Sequence, residues 1–318
     1  MNNRLVTVFG GSGFVGRYVV QHLARRGARI RVAVRHPQEA LFLKPLGQVG
    51  QIHIVPANIR VAASVAAAVA GADAVINLVG ILHQRGRQRF RSVHVDGARN
   101  VAEAAKAARV PDLLHLSALG ADPDSPAAYA RSKAAGEAAV RAVFPRATIF
   151  HPSVIFGPED DFFNRFARLA KVLPFIPVIA GDSRFQPVYV GDVAAAAVAA
   201  LDSGKAVHKE TFALGGPRVY ALRELLEIMR RETMLARPLV PVPMWLARLQ
   251  AAFLGLLPDP PLTLDQLRLL ARDTIVPEGA PGLAALGITP PTPLEAILPL
   301  YLRLYRPQGQ FSHPAVVR

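Results

Sequence analysis

Val8-Phe9-Gly10-Gly11-Ser12-Gly13-Phe14-Val15-Gly16 is the stretch whose reading decides the fold. Ahead of it, Arg4 to Phe9 is a run of β-branched and apolar residues, the pattern of a short buried strand. Behind it, Arg17 to Arg26 carries Val19, Val20 and Leu23 at helical spacing. Strand, glycine turn and helix together form the context in which a glycine pattern binds a dinucleotide. Gly10 permits the tight turn, Gly13 lets a pyrophosphate reach the backbone, and Gly16 lets helix and strand pack closely. Ser12, Phe14 and Val15 line the same turn, and the helix start offers free N–H groups to the phosphates. An ordinary strand-to-helix turn is the plainer alternative, and the flanking pattern disfavours it.

Working outward, Ile30 to Val34 reads as a second strand, ended by His36-Pro37. NAD-preferring sites carry an acid at the end of this strand to bond the ribose hydroxyls. Here that place holds Val34, followed by Arg35. Arg35 and Arg17 suit a 2′-phosphate, so NADPH is expected over NADH; the alternative makes Arg35 a solvated strand end. Gln51 to Val55 is a third strand, and Asn58 in the loop after it is placed to bond an adenine nitrogen. Val61 to Ala70 is an alanine-rich helix closed by Gly71. Ala74 to Val79 is a fourth strand, leading through Leu78 and Val79 to Gly80, where the backbone can approach the cofactor. Arg85, Arg87, Arg89 and Arg91 follow within one short loop, read either as a solvated loop or as an anion-contacting one.

Phe90 to Arg109 reads as one long helix, with Val93, Gly97, Val101, Ala104 and Ala108 on one face. Leu113 to Ser117 is a fifth strand. Ser125-Pro126 reads as a cap and first helical residue, and the helix it opens carries Tyr129 and Lys133. Four residues apart, the two share a helix face. A phenol with a free pKa near 10 needs a neighbouring ammonium to transfer a proton near neutrality. The lysine can also hold a ribose hydroxyl.

Composition removes several classes. With no cysteine the chain has no disulfide, thiolate metal site or thiol nucleophile. The nine histidines show no paired spacing, so no metal is expected. The net charge of +14 favours an anionic partner: nucleic acid, an acidic lipid surface or an acidic protein face. Nucleic acid ranks last, because aromatics are only 7% and no nucleic-acid module is visible. The first strand begins so early that no targeting peptide is expected, which points to a prokaryotic cytoplasm.

With these residues in place, the chain resembles the extended or atypical short-chain dehydrogenase/reductases. The matching residues are Gly10, Gly13 and Gly16, Asn77 to Gly80, Ser117, Tyr129 with Lys133, and Phe185 to Val193. Within that superfamily it is similar to the dinucleotide-binding accessory subunits of respiratory complex I, in their bacterial form. His115 to Asp122, Phe144 to Thr148, Asp265 to Leu270 and above all Pro152 to Asn164 carry this second resemblance. It covers nearly the whole chain. It implies a doubly wound parallel α/β sheet of Rossmann type in residues 1–155. A smaller, mostly helical C-terminal part would fill 156–318, with 186–202 returning to the main sheet. It also implies a cofactor site completed by Ile59, Ser117, Pro152 and Val154. The implied place is peripheral, at the cytoplasmic side of the inner membrane against complex I core subunits, with an anionic lipid surface as a possible further contact.

The departures bear on activity. Members that turn over substrate usually place two adjacent hydroxyl residues after the fifth strand, the second aimed at the substrate oxygen; this chain has Ser117-Ala118. An asparagine common on the preceding helix corresponds to His94. Losing a donor to a developing oxyanion costs orders of magnitude in rate. Tyr129, Lys133 and Ser117 are therefore either a vestigial catalytic set that grips ribose or the machinery of a working enzyme. Two functions compete: a complex I subunit holding NADPH as a structural ligand, and a free-standing epimerase, dehydratase or reductase acting on a nucleotide-sugar or similar anion.

Farther along, Ala147 to His151 is a sixth strand and Phe162 to Leu173 a helix. Asp192 reads as the cap of Val193 to Leu201. Leu222, Leu225, Leu226 and Met229 form a core-facing stripe. In Pro241 to Leu257, Trp245, Leu246, Leu249, Ala252, Phe253 and Leu256 share one helical face. That stretch is too short to span a bilayer, which needs about 20 apolar residues. It suits a small-domain core better than a membrane-facing or partner-facing surface. Thr263 to Asp273 and Pro293 to Tyr305 complete the helical part.

Overall fold

The computed structural model of the chain describes residues 1–254 and 262–309. The chain divides into two compact units. The first comprises Met1–Pro152, Val190–Leu214 and Val276–Thr289; the second comprises Ser153–Tyr189, Gly215–Ile275 and Pro290–Arg318. Val190–Leu214 and Val276–Thr289 are thus the later segments that join Met1–Pro152 in the first unit.

Seven parallel strands form the first unit's sheet. Six are β1 (Leu5–Phe9), β2 (Arg29–Val34), β3 (Ile52–Pro56), β4 (Ala74–Asn77), β5 (Asp112–Leu116) and β6 (Thr148–Pro152); the seventh is Thr211–Leu214. From one edge the order is Thr211–Leu214, β6, β5, β4, β1, β2, β3. β1 is therefore flanked by β2 and β4, and the strand order reverses there, the place where open α/β sheets bind ligands. The strands are runs of Val, Ile, Leu and Ala, buried because helices cover the sheet. Those helices are α1 (Phe14–Arg25), α2 (Ala62–Val69), α3 (Ala98–Ala107) and α4 (Ala128–Val143), joined by Val190–Ser203. α1 packs on Val190–Ser203, while α2, α3 and α4 pack in succession on one another. The expected doubly wound parallel sheet is present.

Local readings are corrected at three points. The expected helix from Phe90 to Arg109 is not uniform: Arg91–Gly97 is π-helical, and α3 follows it. A π turn takes up extra residues and rotates what comes after it. Ala98, Ala102 and Ala105 are accordingly buried, while Ala108 is exposed. The helix opened by Ser125-Pro126 starts later, at Ala128, because Ser125 turns its buried hydroxyl to accept from the Ala127 N–H at 3.2 Å. Asp192 lies inside the first turn of Val190–Ser203 rather than ahead of it, where a carboxylate complements the helix dipole.

The second unit is mostly helical, with three two-stranded pairs: Ile155–Phe156 with Val188–Tyr189, Arg184–Phe185 with Tyr220–Ala221, and Ile176–Val178 with Leu239–Pro241. Leu222, Leu225, Leu226 and Met229 are buried in its core as their spacing predicts. Asp160 organises one end. Its carboxylate accepts from the Gly157 N–H and the Asn164 N–H, each at 3.1 Å, and from the Tyr301 hydroxyl at 2.5 Å. Tyr305 donates to Asn164 Oδ1 at 2.8 Å. The run Pro152 to Asn164 is thereby tied to the C-terminal helix Leu294–Leu302 and the turn after it.

The helix Met244–Leu254 overturns the core reading of its apolar face. Ala247 and Ala251 are the buried residues, packed with Ile179 and Leu267. The large side chains face outward: Trp245 is 68% exposed, Leu249 51% and Phe253 68%. Two alanines a turn apart allow close approach, so this helix packs by its small face. Leu256, expected on the same face, lies outside the described residues.

Candidate functional site

The glycine turn sits at the carboxyl end of β1, at the reversal of strand order. Gly10 adopts φ +77°, the left-handed region that favours glycine, and a Cβ there would press on Leu78 and Val79 of the neighbouring turn. A Cβ on Gly16 would overlap the Gly10 carbonyl oxygen, so α1 can approach the turn this closely only with glycine. Gly13 is exposed and forms the N-cap of α1. The first turn of α1 has neither an acid nor a side-chain cap, leaving its N–H groups to an anion. Ser12 and Val15 are half-buried, and Phe14 packs edge-on against Tyr18 at 6.2 Å.

Across the switch point, the turn after β4 is shaped by Asn77. Its Oδ1 accepts from the Val79 N–H at 3.2 Å, and its Nδ2 donates to His115 Nδ1 at 3.1 Å. The Leu78 N–H donates to the Phe9 carbonyl at 3.0 Å. Leu78, Val79 and Gly80 are thus set beside the glycine turn. A Cβ on Gly80 would stand 3.9 Å from Lys133 Nζ and 3.7 Å from His94 Nε2, so the backbone here runs past both groups.

Lys133 projects from α4 into the interior and donates to the Leu116 carbonyl at 2.7 Å. Burial pulls its ammonium down to about 8, opposed by the charge of Glu137. Tyr129, one turn earlier, lies edge-on to Phe90 at 6.0 Å and to His94 at 5.5 Å. Burial pushes its phenol up to about 12. The two expected partners share a face, but the phenol is a weaker acid than a free tyrosine. His94 lies in the π-helical turn. Its Nε2 accepts from the Ile81 N–H at 3.0 Å, and its Nδ1 donates to Ser132 Oγ at 2.8 Å; Ser132 in turn donates to the Tyr129 carbonyl. Burial and the charge of Lys133 hold its pKa at about 3, so the ring is neutral with both nitrogens engaged. It takes the space of the expected asparagine without offering a donor.

Ser117, after β5, is buried, its N–H bonded to the Phe150 carbonyl at 2.8 Å, and its Oγ has no hydrogen-bond partner. A buried hydroxyl without a partner is costly and fits a position completed by a ligand. Together with the glycine cradle and the uncapped helix start, it fits a bound nicotinamide dinucleotide. Ala118, half-buried, brings no hydroxyl.

The remaining expected residues are placed as follows. Arg35 is exposed at the end of β2. The Arg17 guanidinium lies 4.9 Å above the ring of Phe42. Asn58 Oδ1 accepts from Arg60 N at 3.1 Å and Arg60 Nε at 3.3 Å, leaving its amide nitrogen to meet a base. The Ile59 side chain is buried in the core, so only its backbone can face a ligand. Pro152 is the last residue of β6 and accepts from the Leu119 N–H at 2.9 Å. Val154 belongs to the second unit, where its carbonyl accepts from the Val188 N–H. Arg85, Arg87, Arg89 and Arg91 are all exposed; mutual backbone bonds between Arg85 and Gln88 close a tight turn that carries Arg87, and Arg91 opens the π-helical stretch.

Sequence reasoning missed Asn77 and His115 as the supports of the β4 turn, and Phe42 beneath Arg17. It also missed the ion pair behind Lys133, where Glu137 meets His151 at 2.6 Å and Arg141 at 3.2 Å. Glu137 and Arg141 continue the four-residue spacing of Tyr129 and Lys133 along α4, a sign legible in the sequence.

Residues 6–215 match the NAD dependent epimerase/dehydratase family. The chain is 38% identical over 300 residues to the mouse protein NADH dehydrogenase (ubiquinone) 1 alpha subcomplex subunit 9, mitochondrial, covering 92% of this chain and 78% of that one. It is 37% identical over 195 residues to a ceramide reductase of Caulobacter vibrioides, covering 61% and 60%. In fold it is similar to the UDP-glucuronic acid 4-epimerase of Bacillus cereus solved with UDP-glucuronic acid and NAD: TM-score 0.67, 16% identity, 94% of this chain and 98% of that chain.

Proposed function

Because the chain belongs to the NAD dependent epimerase/dehydratase family, we propose that it holds a nicotinamide dinucleotide as an accessory subunit of NADH:ubiquinone oxidoreductase, respiratory complex I, with little or no turnover. The similarity to the mouse subunit along 92% of the chain supports the partner. The geometric observation that carries the reading is the set of groups around Gly80. Lys133 Nζ beside Gly80 suits a ribose hydroxyl, while Ala118 brings no hydroxyl and both ring nitrogens of His94 are engaged.

The roles divide accordingly. Gly10, Gly13 and Gly16 bring the pyrophosphate to the start of α1. Lys133 and Tyr129 orient the nicotinamide ribose, and the orphan hydroxyl of Ser117 gains a partner. Arg17 and Arg35 receive a 2′-phosphate, making NADPH the preferred form. Bound NADPH supplies a hydride where a substrate carbonyl can be activated. Here Ala118, the engaged ring of His94 and the raised phenol of Tyr129 leave that activation weak.

The place proposed is the cytoplasmic face of a prokaryotic inner membrane, bound peripherally. Among the described residues no helix is long and apolar enough to cross a membrane. The outward Trp245, Leu249 and Phe253 and the exposed arginines of the 85–91 loop suit contact with core subunits and anionic head groups.

A second reading, a reductase, is favoured by the retained Tyr129 and Lys133 and by the similarity to the ceramide reductase. One experiment separates them: affinity purification from native membranes, with the bound nucleotide identified by mass spectrometry. Complex I subunits co-purifying with intact NADPH are expected. Recovery of a free protein that oxidises NADPH with a carbonyl or nucleotide-sugar substrate, and loses this in Tyr129→Phe, establishes the enzyme instead.

A further inference from the structure

Asn58, half-buried in the loop after β3, has nearly all of its polar atoms engaged inside the first unit. Its N–H donates to Ser64 Oγ at 3.0 Å, and its carbonyl accepts from the Val61 N–H at 2.8 Å. Its Oδ1 accepts twice from Arg60, from the N–H at 3.1 Å and from Nε at 3.3 Å. Among the described residues, that leaves only the donors of Nδ2 for a ligand. Arg60 is itself held at its far end. Its Nη1 donates at 2.8 Å to the carbonyl of Arg87, 27 residues later, in the turn closed by Arg85 and Gln88. The side chain is therefore stretched between two loops and not left in solvent.

We propose that Arg60 is a positioning residue for base recognition: anchored on the Arg87 carbonyl, it locks the Asn58 amide so that a donor, not an acceptor, meets the adenine ring. This rests on the dinucleotide reading given above, but not on the choice between NADPH and NADH. A side-chain amide has a donor end and an acceptor end, and a half-turn exchanges them. The backbone N–H two residues on favours one orientation of an asparagine. Nε adds a second donor at the same oxygen, so the turned amide would set its own N–H2 group against two N–H groups. Adenine offers ring nitrogens as acceptors and its exocyclic amino group as a donor. The locked amide pairs with a ring nitrogen and rejects the amino edge. Arg60 thus acts on the base through Asn58 without touching it. The competing role for a cation here is a contact to the 2′-phosphate, which would serve NADPH alone.

The test is calorimetric binding of NADPH and NADH to the full chain, with thermal unfolding to confirm folding. Asn58→Ala is expected to weaken both nucleotides about fivefold, the worth of one hydrogen bond. Asn58→Asp weakens both further, because a carboxylate turns an acceptor to the ring nitrogen. Arg60→Met weakens both about threefold, and in that background Asn58→Ala costs less than about twofold, because the amide is no longer locked. Arg60→Lys does not rescue, since it restores the charge without the Nε donor. Tighter binding in Asn58→Asp shows that the base presents its amino group, and overturns the proposal. The same fivefold cost of Asn58→Ala with and without Arg60 overturns it too, because Arg60 then does not act through Asn58. Losses in Arg60→Met confined to NADPH, or rescued by Arg60→Lys, make Arg60 a phosphate contact instead. A parent that binds neither nucleotide removes the dinucleotide reading itself, and this proposal with it.

Discussion

Two buried polar clusters, one in each unit, are built on opposite terms. In the second unit the Asp160 carboxylate has three donors around it, and Asn164 and two tyrosines complete the set. In the first unit, Lys133 is a buried ammonium bonded to the Leu116 carbonyl, Ser117 has an orphan hydroxyl, and His94 and His115 are forced neutral beside that charge. The first arrangement is closed and structural. The second is held at a cost in stability that a ligand can offset. A buried polar group in this chain therefore marks a binding site when its bonds are incomplete and a fold constraint when they are complete.

The largest expected effect tests the closed cluster. Asp160→Ala strands two backbone N–H groups and a tyrosine hydroxyl, so a loss of about 3 kcal/mol or more is expected from urea unfolding. Added NADPH should not restore the lost contacts. A loss below about 1 kcal/mol breaks the contrast, because the site would then tolerate open bonds.

Acid separates the clusters by sign. The folded pKa of both His94 and His115 is about 3, against 6.5 unfolded. The unfolded chain thus binds more protons between those values, and their contribution to stability falls as pH drops below 6.5. Between pH 6.5 and 5.5 the pair costs about 2 kcal/mol. Burial holds the Asp160 carboxyl above its ordinary range, so there the folded chain binds a proton more readily and acid does not weaken it. Hydrogen exchange at pH 7 and 5.5 should show protection lost first around β4, β5 and α4. Uniform loss, or loss first around Asp160 and Tyr301, contradicts this.

Replacing the open cluster's charge sharpens the comparison. Lys133→Met removes a buried ammonium in favour of an apolar chain of similar length. Nucleotide-free stability is expected to rise by about 1 kcal/mol, while stabilisation by NADPH, about 2.7 kcal/mol at a hundredfold excess over Kd for the parent, largely disappears. Thermal unfolding with and without NADPH reads both. A variant less stable without nucleotide would make Lys133 a structural residue. The smallest effect is expected for Tyr129→Phe: nucleotide affinity within about twofold and complex I assembly unchanged, a change of under about 0.5 kcal/mol. A tenfold loss of affinity would give the hydroxyl a larger share in ribose binding.

What was legible in the sequence was what is local. The glycine turn, the strand on either side of it and the Tyr129–Lys133 spacing are fixed by backbone sterics and helix period within a few residues. The pairing of Asn77 with His115 was not legible, because it joins adjacent strands far apart in the chain. The specific run Pro152 to Asn164 was visible as a motif. Its reason, the tyrosines of residues 301 and 305, lies at the other end of the second unit. The helix Met244–Leu254 misled for a different cause. Amphipathic spacing identifies a helix's apolar face, but here the two alanines packed inward and the larger residues stayed out.

The seventh strand, Thr211–Leu214, has a consequence for synthesis on the ribosome. It closes the β6 edge of the sheet, and Val276–Thr289 then bonds to it through the Pro281 carbonyl. The nascent chain must therefore translate Ser153–Tyr189 before it can cover that edge, and most of the second unit before the last piece arrives. Throughout that interval β6 offers unpaired backbone groups to any passing strand. Slower translation between residues 153 and 214 is thus expected to lengthen the exposure of that edge and lower the yield of folded protein.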